Sequence, residues 1–405
     1  MSNSGADYTG KRVVVGLTGR IGSAVTALLL KKQGMEVIGL SIVTNSSDSF
    51  SDNKLYPKCH IENLDAVKKF CEDLKIPFYA TDGKAQFDAD VLDPLVANKL
   101  TAQANVSCFN CTKMRLDILL KKMVSLKADY IATGHFCKIQ KNLNSDEFFV
   151  HANNDRASDQ SFLLAGLETK FLKHLILPLG ELRQAEIEKI AQKFQLKILN
   201  SKKQVGFCFT EKESFLKTTL SKVPKSMLKE GQVYNVDTDL FHGDHDGIVH
   251  HYVTEKNVTF KGNSHQDRNL EIVGYDFVKA MIKVGSSQNL SQKGFQVIDL
   301  KLSKGLDRKK PITCFIKTKF SDEYYEAHLF FKNNQSALIE LDDEIYPLIL
   351  GEFVVIFDRD TRNAKVIGLG KIGNIGQFEL IDRVDEFKSK DNDELGQKTS
   401  EIFRF

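Results

Sequence analysis

VVVGLTGRIGSAVTALLLKKQG, residues 13–34, decides the fold of this chain. Its opening VVVGL is a short apolar, β-branched run suited to a buried strand. TGRIGS, residues 18–23, is a loop of mostly small residues interrupted by Arg20 and Ile21. Residues 24–33 carry apolar side chains at helical spacing, and Gly34 stands where a helix would stop. A strand, a glycine-bearing turn and a helix start bring unpaired backbone N–H groups and the positive end of a helix dipole to one point. That combination is an anion site. The spacing lacks the three glycines of a dinucleotide fingerprint and the Gly-Lys-Ser/Thr of a Walker loop.

Working outward, strands are predicted over residues 36–43, 76–81 and 128–134, with helices over 62–75, 87–103 and 112–126. The last helix places Met114, Ile118, Leu119 and Met123 on one face. Residues 44–54, rich in Ser, Asn and Asp, read as an exposed loop. Alternating strands and helices predict an α/β domain with a doubly wound parallel sheet over residues 11–205, its ligand at the carboxyl ends of the strands. Gly19 and Gly134 would both lie on that edge. From Gly206 the rhythm changes. Residues 206–268 read as a small central domain, residues 269–385 as short strands of a β-barrel, and residues 386–405 as a charged, flexible tail.

The chain has 405 residues, 42% of them hydrophobic, and a net charge of +3. This excludes a disordered protein and a generic polyanion binder. No apolar run approaches the roughly 18–20 residues that span a bilayer, and the polar N-terminus has no signal core, so a cytoplasmic protein is expected. Seven cysteines without a secretion signal argue for thiol or metal chemistry over a disulfide framework. Cys108 and Cys111 form a C-x-x-C ahead of the predicted helix, where the dipole favours a thiolate. The same spacing also suits one metal or cluster. Cys59, Cys71, Cys137 and Cys314 read as buried small hydrophobes.

With these residues in view, the chain resembles the tRNA-uridine 2-sulfurtransferases (tRNA 2-thiouridine synthases), members of the ATP-pyrophosphatase loop (PP-loop) enzymes. The resemblance runs from about residue 11 to 380. It is carried by VVVGLTGRIGS, CTKMRLDILL, ADYIATGHF, SDQSFLLAGL, LPLGEL, VGFCF, GDHDGIVHHY, ILGEFVVIFD and VIGLGKI, in order. It implies an adenine nucleotide α-hydrolase fold, then a central domain and a C-terminal β-barrel. The implied reaction is ATP-dependent adenylation at C2 of the wobble uridine, followed by sulfur delivery from a cysteine. By position, Cys208 matches the cysteine that bears the sulfur, and Cys111 matches its partner. Gly16, Leu17, Thr18, Gly19, Arg20, Gly22, Ser23, Ile42 and Gly134 match the site for ATP with Mg²⁺, with His135 in support. Cys108, Ser158, Asp159, Gln160, Lys319 and Phe320 match tRNA contacts.

The resemblance admits two sulfur chemistries: a Cys111/Cys208 persulfide relay, or a [4Fe-4S] cluster on Cys108, Cys111 and Cys208. It implies tRNA and a sulfur donor or relay protein as partners, no membrane, and a monomer. The chain departs from the family's S-G-G-x-D-S at Arg20 and Gly22, and carries Ser158 where the family has lysine. Loss of ATP-driven adenylation, leaving a tRNA-binding, sulfur-carrying or iron–sulfur protein, is the rival reading. Basic residues including Lys113, Arg115, Lys121 and Lys122 support RNA binding, and read equally as a solvated face.

Overall fold

The computed structural model describes residues 8–44, 64–142, 145–196, 220, 222–223, 228–256, 258–262, 269–276, 278–303, 305–318, 323–361 and 363–375. Its strands are β1 (Arg12–Gly16), β2 (Glu36–Val43), β3 (Phe78–Asp82), β4 (Tyr130–Ala132), β5 (Cys137–Lys141), β6 (Phe148–Ala152) and β7 (Leu175–Ile176). There follow β8 (Gly231–Asn235), β9 (Leu240–His245), β10 (Glu271–Asp276), β11 (Met281–Gly285), β12 (Gln292–Leu302), β13 (Ile312–Lys317), β14 (Tyr325–Asn333), β15 (Ser336–Ile345), β16 (Phe353–Phe357) and β17 (Val366–Asn374). The α-helices are α1 (Ile21–Lys32), α2 (Leu64–Asp73), α3 (Lys84–Phe87), α4 (Asp93–Leu100), α5 (Ser107–Ser125), the single turns α6 (Ser161–Leu164) and α7 (Thr169–Leu172), and α8 (Gln184–Lys193).

The first sheet has the order β3-β2-β1-β4-β7, and all its pairings are parallel. Alternation along β1 shows why the sheet is covered on both faces. Val13 and Val15 pack with Ala27, Leu30, Val67 and Cys71 from α1 and α2, whereas Val14 packs with Met114, Ile118 and Leu119 of α5. A strand buried on both sides reads as a continuous apolar run. The predicted apolar face of α5 is the buried one, with Met114, Ile118, Leu119 and Met123 all in the core. The chain order reverses direction between β1 and β4, so the switch point of the sheet lies beside the loop that follows β1.

Three expectations are corrected. The helix expected over residues 87–103 is broken: α3 passes into a π-turn (Asp88–Leu92) before α4, which carries Pro94 in its first turn. Helix α5 begins at Ser107, so Cys108 and Cys111 lie on the helix and not in a preceding loop. Its early start is supported by the Asn105 side chain, which accepts from the Ser107 N–H at 3.0 Å. The third concerns domain division. The strands expected to open the barrel near residues 271 and 280 are β10 and β11, and they join β8 and β9 in a separate four-stranded sheet of order β10-β11-β8-β9. The boundary expected at residues 268/269 therefore falls after β11. The parallel pairing of β11 with β8 is the reason, because strand alternation says which face is buried and not which partner is chosen.

The barrel closes as β12-β15-β14-β13-β16-β17, which leaves no open edge. Strand β16, FVVIF, is apolar throughout because both faces are buried. Val354 and Ile356 point into the barrel core, while Val355 and Phe357 join the core of the first domain. Phe109 of α5 stacks on Phe353 at 4.4 Å between ring centres, and the Ala152 N–H donates to the Ala364 carbonyl at 2.8 Å. The barrel is thus seated on the outer face of α5 and β6. No helix among the described residues is long and apolar enough to cross a membrane.

Candidate functional site

Three pieces meet at the carboxyl edge of the parallel sheet. The first is residues 18–23, between β1 and the N-terminus of α1. No side chain caps α1 at Arg20, and its first turn carries no acidic residue. Ser23 instead folds back on the loop: its hydroxyl donates to the Arg20 carbonyl at 2.9 Å and accepts from the Thr18 N–H at 3.2 Å. Gly19 has φ +75°, a turn conformation that L side chains rarely adopt. Upstream, Leu17 is buried, and its N–H donates to the Leu40 carbonyl at 2.8 Å. Gly16 and Ile42 lie inside the sheet, Gly16 against Leu119 and Ile42 against Gly83. They shape the floor beneath the loop.

The second piece is the turn after β4. A Cβ on Gly134 would lie 2.8 Å from the Gly22 carbon and 2.9 Å from the Ser23 nitrogen. Only a glycine lets this turn rest on the start of α1. A Cβ on Gly22, by contrast, would find its nearest neighbours at 3.5 Å, an ordinary contact. Beside Gly134, His135 shares a 2.8 Å hydrogen bond between Nδ1 and the Thr133 hydroxyl. Burial, and secondarily the Arg115 guanidinium, push the His135 imidazole down to about 4, so it is neutral at physiological pH.

The third piece is the N-terminal end of α5. This helix leads into β4 and runs back along the sheet, which sets Cys108 and Cys111 over the same edge. Cys111 is buried and Cys108 half-buried. The Arg115 Nε–H donates to Cys111 Sγ at 3.2 Å. Arg115 also acts on His135, which joins the thiol to the glycine turn. From the sequence, Arg115 reads as one of several basic residues. Its position four residues after Cys111 on a helix is the signal that pairs them.

Residues 158–161 are placed differently. Asp159 is buried, and its carboxylate accepts from the Asn153 N–H at 2.8 Å, the Ser161 N–H at 3.2 Å and the Ser161 hydroxyl at 2.7 Å. Burial raises its carboxyl, opposed by these bonds and by Lys317 of the barrel. Gln160 accepts from the Phe136 N–H at 3.1 Å and returns its own N–H to the Phe136 carbonyl at 3.0 Å. Ser158 donates to Asp155 at 2.9 Å. The structure thus gives Asp159 and Gln160 an internal role: they hold the chain that follows His135.

Cys71, Cys137 and Cys314 are fully buried, and burial pushes the thiols of Cys71 and Cys314 up to about 12 and that of Cys137 well above its ordinary value. They are inert packing residues, as the sequence suggested. Cys59, Cys208, Lys319 and Phe320 lie outside the described residues.

Among the described residues no group of three His, Cys, Asp or Glu side chains can hold a metal ion. Cys108 and Cys111 supply two thiols, and the Cys111 sulfur already faces a guanidinium. The described donors do not make a cluster site. A further cavity of about 500 Å³ opens in the central domain, lined in part by His245, Asp246, His251, Glu255 and Lys261. His251 stands there between Asp246 and Glu255, at 3.7 and 3.4 Å.

A family model described as the tRNA methyl transferase HUP domain matches residues 11–212. The chain is 25% identical to the tRNA-specific 2-thiouridylase MnmA of Clostridium acetobutylicum over 360 residues, covering 86% of this chain and 97% of that protein. It is 28% identical to the enzyme of the same name from Shouchella clausii over 371 residues, covering 90% and 97%. It is 30% identical to that of Clostridium botulinum over 249 residues, covering 61% and 68%.

Proposed function

Since the chain belongs to the tRNA-specific 2-thiouridylase family, we propose that it transfers sulfur to C2 of the wobble uridine of tRNA, with ATP as activating co-substrate. The observation that carries this reading is the meeting, at one sheet edge, of the loop 18–23, the Gly134 turn and Cys111. The N-terminus of α1 offers backbone N–H groups and a dipole to the phosphates of ATP, and Mg²⁺ enters with the nucleotide. The Gly134 turn bounds the nucleotide side of the pocket.

Adenylation joins the uridine O2 to the α-phosphate and releases pyrophosphate. A sulfur nucleophile then attacks C2, and O2 departs with AMP. Cys208 carries the transferable sulfur as a persulfide, whose outer sulfur attacks C2. The Cys111 thiolate then attacks the Cys208 sulfur and breaks the sulfur–sulfur bond, releasing 2-thiouridine. This leaves a Cys111–Cys208 disulfide that an external thiol reduces. The uridine has to leave the stack of the anticodon loop to reach this edge. Residues 206–285 and the barrel hold the tRNA, with Lys319 and Phe320 among the contacts. A sulfur donor or relay protein reloads the cysteine in the cytoplasm.

The test is an assay of the full chain with ATP, Mg²⁺, a sulfane-sulfur donor (polysulfide), a thiol reductant and unmodified tRNA. Nucleoside mass spectrometry should show 2-thiouridine together with AMP release, and Cys208→Ser should abolish it. Absence of both products from the unaltered chain overturns the reading.

Arg20 and Gly22 favour a second reading, in which the chain binds tRNA and carries sulfur without adenylating. Calorimetry separates the two. If ATP binds only after Arg20→Gly with Gly22→Asp, the second reading holds.

A further inference from the structure

We propose that Lys317 and Arg156, gathered over the ring of Tyr324, bind the phosphodiester backbone of tRNA at the seam between the first domain and the barrel. Among the described residues three lysines are buried: Lys99, Lys138 and Lys317. Lys99 donates to the Tyr275 hydroxyl at 3.3 Å, and Lys138 donates to the Asn154 side chain at 3.1 Å. Lys317, only 7% exposed, makes no hydrogen bond and no ion pair among these residues. A buried ammonium without a partner is costly. Its stem is enclosed while the ammonium keeps contact with solvent, where an anion can reach it.

Tyr324 gathers the group. The Lys317 ammonium lies 5.5 Å from the centre of its ring and the Arg156 guanidinium 5.3 Å, both within cation–π range. The ring itself is fixed edge-on against Phe357 at 4.8 Å. Arg156 opens the 3₁₀ turn Arg156–Ser158 of the first domain, and Lys317 ends β13 of the barrel. Burial raises the Tyr324 phenol, so its hydroxyl stays protonated and able to donate. Two carboxylates stand near. Asp159 is committed to its three internal hydrogen bonds. Asp360 is 3.9 Å from Arg156 with both side chains about half exposed, a surface pair worth little. A phosphate can displace it, because a guanidinium binds two phosphate oxygens at once. Under the tRNA-modifying reading, on which this inference rests, the place suits RNA. Gln160, next to Asp159, is clasped to Phe136, the neighbour of His135 at the sheet edge. An RNA backbone anchored at the seam therefore lies beside the edge where the wobble base is presented, and phosphate contacts fix such a position without reading sequence.

The experiment measures binding of labelled, unmodified tRNA to the full chain over about 0.05–0.3 M salt. Arg156→Gln and Lys317→Met should each weaken binding about fivefold to tenfold near 0.1 M salt. Each should also flatten the slope of log affinity against log salt by about 0.7–0.9. A merely structural role would leave that slope in place. Lys317→Met exchanges an unpaired buried charge for an apolar side chain, so its urea midpoint should be unchanged or higher. Asp360→Asn releases Arg156 and should tighten binding about twofold. Arg156 and Asp360 lie at the surface, so their variants decide the matter even where Lys317→Met does not fold. An unchanged slope in Arg156→Gln, or weaker binding in Asp360→Asn, overturns the proposal. So does thermal protection by inorganic phosphate that Arg156→Gln loses while tRNA binding is kept, since the site would then take a free anion. Neither ATP nor a sulfur donor is needed, so these failures leave sulfur transfer standing, whereas a chain that binds no tRNA overturns both.

Discussion

The loop at residues 18–23 and the segment at residues 158–161 both carry family motifs, and the fold uses them in opposite ways. The loop leaves its backbone at the open edge of the sheet, with α1 uncapped by any side chain. The Asp159 segment turns inward and binds the chain around Asn153 and Phe136. A motif persists either because it touches a ligand or because it holds the part that does, and sequence alone does not distinguish the two. Hydrogen-bond direction does. Asp159 accepts three internal hydrogen bonds, whereas the loop is tied together chiefly by one serine and the neighbouring glycine turn.

The largest expected effect is at Asp159. Asp159→Ala strips the acceptor from two backbone N–H groups and one hydroxyl in a buried place, each costing about 1–3 kcal/mol when left unmade. A loss of about 3 kcal/mol in urea unfolding is expected. A loss below about 1 kcal/mol would place Asp159 with the ligand-facing residues and break the contrast.

Next in size is a pH effect at His135, which stands where the two regions join. Its imidazole is depressed to about 4 in the fold against about 6.5 in the unfolded chain. The unfolded state therefore binds the extra proton first. The stability contributed by neutral His135 is fully present above pH 6.5 and is lost as pH falls toward 4. The full shift corresponds to about 3.4 kcal/mol at 1.36 kcal/mol per unit, of which about 2.5 kcal/mol is lost between pH 7.5 and 4.5. Unfolding at pH 7.5 and 4.5 should show a loss that His135→Gln reduces; an equal loss in the variant would assign the effect elsewhere.

The smallest effect sharpens the other side. Gly22 lies in the first turn of α1, and a Cβ there meets only ordinary contacts. Gly22→Asp removes a flexible residue from a helix and puts a carboxylate at its positive end. It should stabilise the chain by about 0.5–1 kcal/mol in thermal unfolding. Destabilisation would mean that the loop has closed over the position this side chain would occupy.

Much of this was legible in the sequence. The strand at residues 36–43, the apolar face of α5 and the glycine pair Gly19 and Gly134 follow from periodicity and turn chemistry, which act within a few residues of one another. The boundary between central domain and barrel was not legible, because β8 pairs with β11 across about fifty residues and alternation is blind to partner choice. The start of α5 is tied by one local contact, the Ser107 N–H to the Asn105 side chain, from the residue before the N-cap Val106. The pairing of Arg115 with Cys111 was present as spacing but had no meaning until the helix was known to include both.

By itself the sequence determined a β-strand, anion loop and helix in the first thirty-odd residues and a doubly wound order after them. These are local properties of dihedral preference, periodicity and residue type. Tertiary structure alone decided that Gly134 rests against the backbone of Gly22 and Ser23, that Asp159 faces inward, and that the Cys111 sulfur meets a guanidinium. Each depends on chain segments distant in sequence or on the helix that carries them, and only packing brings such groups within the few ångströms at which hydrogen bonds and charges act.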